Sequence, residues 1–295
     1  MNAVLKTEFP GLKLNSRGKV RDIYDLDGRL LIVSTDRISA FDCILANGIP
    51  GKGMVLNLLS EFWFQQTRHL VRNHLVTTDL DAYPESLWPH REILRNRSML
   101  VDKADMIQVE CVVRGYLAGS GWKEYRETGK LAGIEMPKDL QVASRLPEPI
   151  FHPAVKVENG HDENIRYEDL VERVGEKLAV HLRDVSVRLY QWAAKTIESR
   201  GIIIADTKFE FGLINGDLVL ADEFLTPDSS RFWRRTDVRP GRAPEALDKQ
   251  FVRDYLETVK WDKRPPAPAL PDQIVKETTD RYREIFRLLT DREAP

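Results

Sequence analysis

One stretch, Arg200 to Trp233, constrains the rest of the chain more than any other: RGIIIADTKFEFGLINGDLVLADEFLTPDSSRFW. Ile202, Ile203 and Ile204 predict a buried strand. The strand then alternates, with Asp206, Lys208 and Glu210 on one face and Thr207, Phe209 and Phe211 on the other, because successive strand side chains point to opposite faces. Asn215-Gly216 is a hairpin turn signal, and Leu218-Val219-Leu220 returns carrying Asp222 and Glu223. Such a hairpin needs one face covered by a core, and it gathers carboxylates that Lys208 alone does not neutralise. A divalent cation, a paired lysine or water relieves that repulsion. Oxygen ligands without a nearby Cys or His favour Mg²⁺, which normally accompanies nucleotide phosphates. A solvated, charged sheet edge is the competing reading. Just beyond, Asp228, Ser229, Ser230 and Arg231 offer hydroxyls and a guanidinium to a phosphate or carboxylate.

The length of 295 residues allows two core-forming units or one large one, and 42% hydrophobic with 31% charged residues is ordinary for a soluble protein. A net charge of -2 gives no electrostatic footprint for nucleic acid. No apolar run has bilayer-spanning length and the first 20 residues hold no signal-peptide core, so no membrane association and a cytoplasmic location are expected. Cys43 and Cys111 lack CxxC spacing, which argues against a disulfide framework or structural zinc.

Near the amino end, a strand beginning at Ser16 and running to Tyr24, an Asp27-Gly28 turn and a strand from Leu30 to Ser34 predict a hairpin. Lys19 and Arg21 fall on one of its faces, either as a cover for a polyphosphate or as a solvated basic face. There is no GxxxxGK[ST], and Gly51-Lys52-Gly53 does not follow a strand as a dinucleotide fingerprint does. The loop Ser34 to Asp42 collects Asp36, Arg37, Asp42 and hydroxyls where a core strand ends. Lys52 and the free N-H groups of a helix from about Met54 to His69 form either an anion site or a capping loop.

Ser98–Val101 and Met106–Arg114 read as a further pair of strands. The glycine-rich corner Gly115 to Trp122 follows, from which Arg114 and Ser120 can reach one anion. Lys156, Glu158, His161, Asp162 and Glu163 make a polar stretch in which a single His does not amount to a helical zinc motif. Helical spacing from Tyr167 to Ser199 predicts one core helix delivering the chain into the charged hairpin. A short helix from about Lys249 to Val259 is followed by the proline-rich connector 264–271 and a last amphipathic helix, 272–290, that packs back on the body.

GKVRDIYDL, STDRISAFD, VECVVRGYLAGSGW, HDENI, DTKFEFG, LADEFLTPDSSRFW and DKQFVRDYL, in this order, closely resemble the SAICAR synthetase family of purine biosynthesis, in its longer single-chain form. The resemblance implies an α+β fold of two lobes with antiparallel sheets, like a protein kinase, with ATP between them. It implies a nucleotide-covering lobe, 1–106, and a substrate and metal lobe, 107–295. It implies a monomeric, ADP-forming ligase that uses ATP and Mg²⁺ to join L-aspartate to the carboxylate of carboxyaminoimidazole ribonucleotide (CAIR). Another ATP-dependent ligase or a small-molecule kinase on the same scaffold is the alternative.

Position by position, the resemblance implies that Lys19 and Arg21 cover the ATP phosphates while Lys103, Met106 and Glu110 lie along base and ribose. Glu210 and Asp222 would hold Mg²⁺. Arg114, Ser120 and Arg231 match residues that hold the ribonucleotide phosphate. Asp206, Lys208 and Asp228, with neighbouring Ser230, match the substrate site, and Asp206 could take a proton from the aspartate amine. Asp36, Arg37 and Lys52 match further pocket residues. One departure is at Phe151-His152-Pro153-Ala154-Val155-Lys156, where the family commonly has Thr-Pro-Ser-Thr-Lys after the first residue.

The hairpin register follows from the metal assignment. A two-residue Asn215-Gly216 turn sets Glu210 opposite Ala221 and points Asp222 away from Glu210, whereas a three-residue loop puts Asp222 on the same face. Because the resemblance makes Asp222 a ligand, an odd-length loop or a bulge is expected between Gly212 and Asp222.

Overall fold

The computed structural model describes residues 2–155 and 163–295, so Lys156, Glu158, His161 and Asp162 of the expected polar stretch lie outside the described residues. The first part of the chain forms β1 (Lys13–Arg17), β2 (Arg21–Asp25) and β3 (Arg29–Ser34), then a two-strand ribbon of β4 (Ser39–Ala40) and β5 (Cys43–Ile44). Helix α1 (Lys52–Gln66), β6 (Leu75–Thr77), α2 (Arg91–Leu94) and β7 (Ser98–Asp102) follow. The sheet is antiparallel, in the order β1-β2-β3-β7-β6.

Lys103-Ala104 then carries the chain into a second sheet through β8 (Asp105–Tyr116). Helix α3 (Gly119–Thr128), a ribbon of β9 (Lys130–Leu131) and β10 (Ile134–Glu135), and β11 (Arg145–Val155) come next. They are followed by β12 (Glu163–Asn164), α4 (Tyr167–Val174), α5 (Glu176–Glu198), β13 (Ile202–Ile214), β14 (Asp217–Ala221) and β15 (Ser230–Arg234). This sheet runs β12-β11-β8-β13-β14, with β15 also paired to β13. Helices α6 (Gln250–Thr258) and α7 (Asp272–Thr290) close the chain. The architecture is α+β with antiparallel sheets, as the sequence leads one to expect.

Four expectations are corrected. The strand expected from Ser16 to Tyr24 is two strands, because Gly18 N-H donates to the Arg21 carbonyl at 2.8 Å and closes a turn that pairs Arg17 with Asp22. Lys19 therefore sits on a turn and Arg21 opens β2. β7 and β8 are not partners: β7 pairs with β3 and β6, β8 with β11 and β13. The helix expected from Tyr167 to Ser199 breaks at Gly175, whose φ of +82° no helix accommodates. The β13–β14 hairpin has an unbulged two-residue turn, pairing Ile214 with Asp217 and Glu210 with Ala221. Asn215 and Gly216 both have positive φ, 54° and 85°. That is the turn whose twist matches the flanking strands, so nothing forces a third loop residue.

The main core lies between the second sheet and α5, where Leu182, Val185, Leu189, Ala193 and Ile197 meet Ile202, Ile204 and Phe209. It continues through α1, which rests against α7. A smaller cluster joins Ile38, Leu45 and Ile49 to Val252, Leu256 and Leu270, and Asn47 exchanges two hydrogen bonds with the Leu270 backbone. The proline-rich connector is thereby fastened to the segment between β5 and α1.

Helix α1 approaches β3 so closely that a Cβ on Gly53 would lie 2.2 Å from the Ser34 carbonyl oxygen. Overpacking against backbone costs about 1–3 kcal/mol. Gly53→Ala is therefore expected to lower unfolding stability by that amount in urea titrations, and an unchanged midpoint and slope would contradict this packing.

Candidate active site

The two sheets face each other across a cleft of about 740 Å³. Of the residues singled out from sequence, Lys19, Arg21, Glu110, Arg114, Ser120, Asp206, Lys208, Glu210, Asp222, Asp228 and Arg231 line it. Alternation along β13 accounts for three of these: Asp206, Lys208 and Glu210 look into the cleft while Phe209 and Phe211 are wholly buried behind them.

At one end, among the described residues, four carboxylates meet Lys208 and Arg21. Lys208 Nζ lies 2.5 Å from Glu110 and 3.2 Å from Glu210. Arg21, from the first sheet, reaches Asp222 with one Nη and Glu223 with the other, the latter at 2.9 Å. Strict alternation on β14 would turn Asp222 away from Glu210. Instead β14 ends at Ala221 and Asp222 takes a left-handed conformation, φ 62°, which lets Asp222 and Glu223 both line the cleft. The register expected for Asp222 is thus wrong, and the positive φ does what a bulge was expected to do. Burial opposes the charge on Arg21, but Asp222, Glu223 and Glu210 outweigh it and hold its pKa above the ordinary range. Lys208 is raised in the same way, against burial, by Glu210 and Glu110. Lys19 pairs with Asp42 at the lip.

The other end is cationic. Arg231 grips Asp206 at 2.6 and 2.9 Å, and Arg114 donates to Asp206 at 3.0 Å and to Ser120 Oγ at 3.0 Å. The glycine corner makes room for both guanidinium groups: a Cβ on Gly119 would lie 2.2 Å from Arg231 Nη2, and one on Gly121 2.9 Å from Arg114 Cδ. Burial would raise the Asp206 carboxyl, yet Arg231 and Arg114 outweigh it and keep it below the usual carboxylate range. An acid so held is a poor proton acceptor. Lys249 and Arg253, one helical turn apart at the start of α6, add two more cations. Sequence reasoning assigned them no role, although the (i, i+4) basic pair in DKQFVRDYL was a readable signal.

The remaining expected site residues support the cleft from outside. Lys52 is fully buried and pairs with Asp228 at 2.8 Å; Tyr282 donates to the same carboxylate at 2.6 Å. Burial opposes ionisation of Asp228, but Lys52 and Lys249 hold its pKa well below the usual range. The α1 N-terminus does bind an anion, and the anion is Asp36: its carboxylate accepts from Gly53 N at 2.8 Å and pairs with Arg97 at 3.1 Å. Arg37 donates to the carbonyls of Gly18, Lys19 and Arg21 and to Asp22, so it clamps the turn that presents Lys19 and Arg21. Ser230 is buried against Thr207 at 2.8 Å. Lys103 is exposed and paired with Asp25 at 3.3 Å, and Met106 is an exposed residue on β8.

Among the described residues no group of three or more His, Cys, Asp and Glu side chains is arranged to hold a metal ion, and none of the helices is long and apolar enough to cross a membrane.

The SAICAR synthetase family pattern matches residues 14–268. A phosphoribosylaminoimidazole-succinocarboxamide synthase from Thermodesulfovibrio yellowstonii is 54% identical over 98% of this chain and 99% of the relative, and one from Pelobacter propionicus is 53% identical over 97% of each. Among solved structures, SAICAR synthase from Saccharomyces cerevisiae complexed with SAICAR superposes with a TM-score of 0.89 at 44% identity, covering 98% of this chain and 99% of that one. A SAICAR synthetase in complex with ADP has a TM-score of 0.70 at 26% identity, covering 95% of this chain and 99% of that one. With a family match over most of its length and relatives of such identity along nearly all of it, the chain belongs to the SAICAR synthetase family.

Proposed function

We propose that this chain joins L-aspartate to the carboxylate of CAIR, with conversion of ATP to ADP and phosphate, in the cleft between the two sheets. The observation that carries the reading is that the described residues divide one cleft into an acidic end, around Glu110, Glu210, Asp222 and Glu223, and a cationic end, around Arg114, Arg231, Lys249 and Arg253. The family's ligands, named for the yeast SAICAR complex and for the ADP complex, suit these two ends.

A carboxylate is a poor acylating agent because it would have to expel oxide. Transfer of the ATP γ-phosphoryl group to a carboxylate oxygen makes phosphate the leaving group, and the amine then attacks the acyl carbon. Lys19 and Arg21 would hold the phosphates; both line the cleft, and Arg37 fixes the turn that carries them. Lys103 and Met106, outside the cleft lining, would border base and ribose, with Glu110 at the cleft edge. Arg114, Arg231 and Ser120 would receive the ribonucleotide phosphate, and Asp206 keeps the two guanidinium groups together rather than taking a proton. Lys208 and Asp228 complete the floor.

The acidic end, whose described carboxylates offer oxygen ligands, fits Mg²⁺, which takes one or two carboxylates plus phosphate oxygens and water rather than a full protein cage. Glu210 and Asp222 would hold it. When bound, it supplies charge neutralisation at the phosphates. The first sheet, up to Asp102, is proposed as the nucleotide-covering lobe, and the chain from 105 onward as the substrate lobe.

ADP release should require both CAIR and aspartate; ADP formed without aspartate would indicate a small-molecule kinase instead. Glu210→Gln and Asp222→Asn should each lower kcat by at least about 100-fold with the fold intact, as loss of a charge-stabilising group does. Turnover near wild type at limiting Mg²⁺ would remove that residue from the ligand set.

Burial pushes the Lys249 ammonium down to about 8, against the pull of Asp228. Because its folded pKa is depressed, the protein loses this cation as pH rises through 8. The KM for CAIR should therefore rise above pH 8. Lys249→Met should raise KM at pH 7 and flatten its pH dependence, and an unaltered profile in that variant would show that Lys249 does not face the anion.

A further inference from the structure

Arg114 uses every edge of its guanidinium. Nη1 donates to Asp206 and Nη2 to Ser120, while Nε donates to His152 Nδ1 at 3.2 Å. His152 lies on β11, 2% exposed, and its Nε2 is 3.3 Å from a Glu124 carboxylate oxygen on α3. Glu124 in turn accepts from Ala132 N-H at 2.9 Å, so it is itself fixed. Since Nδ1 must accept from an always-protonated guanidinium, the imidazole is neutral with its proton on Nε2, the nitrogen that faces Glu124. Burial, together with Arg114, pushes His152 down to about 3, consistent with that state.

We propose that His152 is a positioning residue for Arg114: the Glu124–His152 pair fixes the imidazole tautomer, and the imidazole fixes the plane of the guanidinium that receives the ribonucleotide phosphate. The argument rests on the proposed reading of the cationic end. Two features of the geometry carry it: the ring's two nitrogens lie against groups of opposite hydrogen-bonding character, and both partners come from elements other than its own.

Two measurements test it. Long-range ¹H–¹⁵N NMR on the wild-type protein, with the His152 signal assigned by its loss in His152→Ala, should show the Nε2-H tautomer at pH 7. An Nδ1-H or doubly protonated ring overturns the proposal whatever the enzyme does. In steady-state assays, His152→Ala should raise the KM for CAIR about tenfold or more, the loss expected for a hydrogen bond to a charged group, with the KM for ATP and kcat within about twofold. His152→Asn, whose Oδ1 stands near the Nδ1 position, should recover most of that loss. Equal losses for both substrates, or no difference between Ala and Asn, would make His152 a packing residue. Wild-type turnover without dependence on CAIR would instead defeat the reading of the cleft itself, which separates the two failures.

Discussion

The ion pairs from Arg21 to Asp222 and Glu223 are the interaction on which the cleft depends, because they join a strand of the first sheet to the end of a hairpin of the second. Carboxylates gathered at one spot repel unless cations or water intervene. Here Arg21 and Lys208 supply the cations, and Arg21 does so from across the gap. Its position is set from behind by Arg37, which is tied to three carbonyls of the Gly18–Arg21 turn and to the buried Asp22. A network of this kind contributes little as isolated surface pairs would, but its members are largely buried, and removal of one partner leaves an uncompensated charge. Phosphates arriving at the cleft would compete with the carboxylates for Arg21, and a divalent cation would then compensate the carboxylates. On the proposed reading, that exchange would link nucleotide binding to the relation between the two sheets.

The opposite end follows the inverse rule. Arg114 and Arg231 lie side by side only because Asp206 is ionised between them and because Gly119 and Gly121 leave space for their side chains. On the proposed reading the pair serves as a preorganised anion receptor whose donors are fixed by protein groups, which is how electrostatic stabilisation avoids the cost of reorganisation. Beneath it, the Lys52–Asp228–Tyr282 group joins α1, the segment after β14 and α7. The carboxyl-terminal helix is thus part of what supports the floor of the cleft.

Much of this was legible in the sequence because it is local. The period-two pattern of Asp206, Lys208 and Glu210, the Asn215-Gly216 turn and the bounds of α7 follow from neighbouring residues alone. Where the reading failed, a distant partner or a backbone choice decided. Nothing near Ser16–Tyr24 announces that Arg37 will fold the chain at Gly18–Val20. Lys52 and Asp36 read as ligand-binding groups because sequence shows a charge and hides its partner, here Asp228 for one and Arg97 with Gly53 N-H for the other. Asp222 was placed by strict alternation plus a presumed bulge, whereas a single left-handed residue after an unbulged turn brings it into the cleft. Asp tolerates that conformation better than most residues, but tolerance alone predicts no position.

The central claim is that the two ends of the cleft serve phosphoryl transfer to a carboxylate followed by amide formation. Its most direct test is the fate of oxygen. CAIR labelled with ¹⁸O in its carboxylate, turned over with ATP and aspartate, should deliver one labelled oxygen to each inorganic phosphate released, because the oxygen that accepts the phosphoryl group leaves with it. Phosphate free of label, with product formed at the normal rate, would contradict the account.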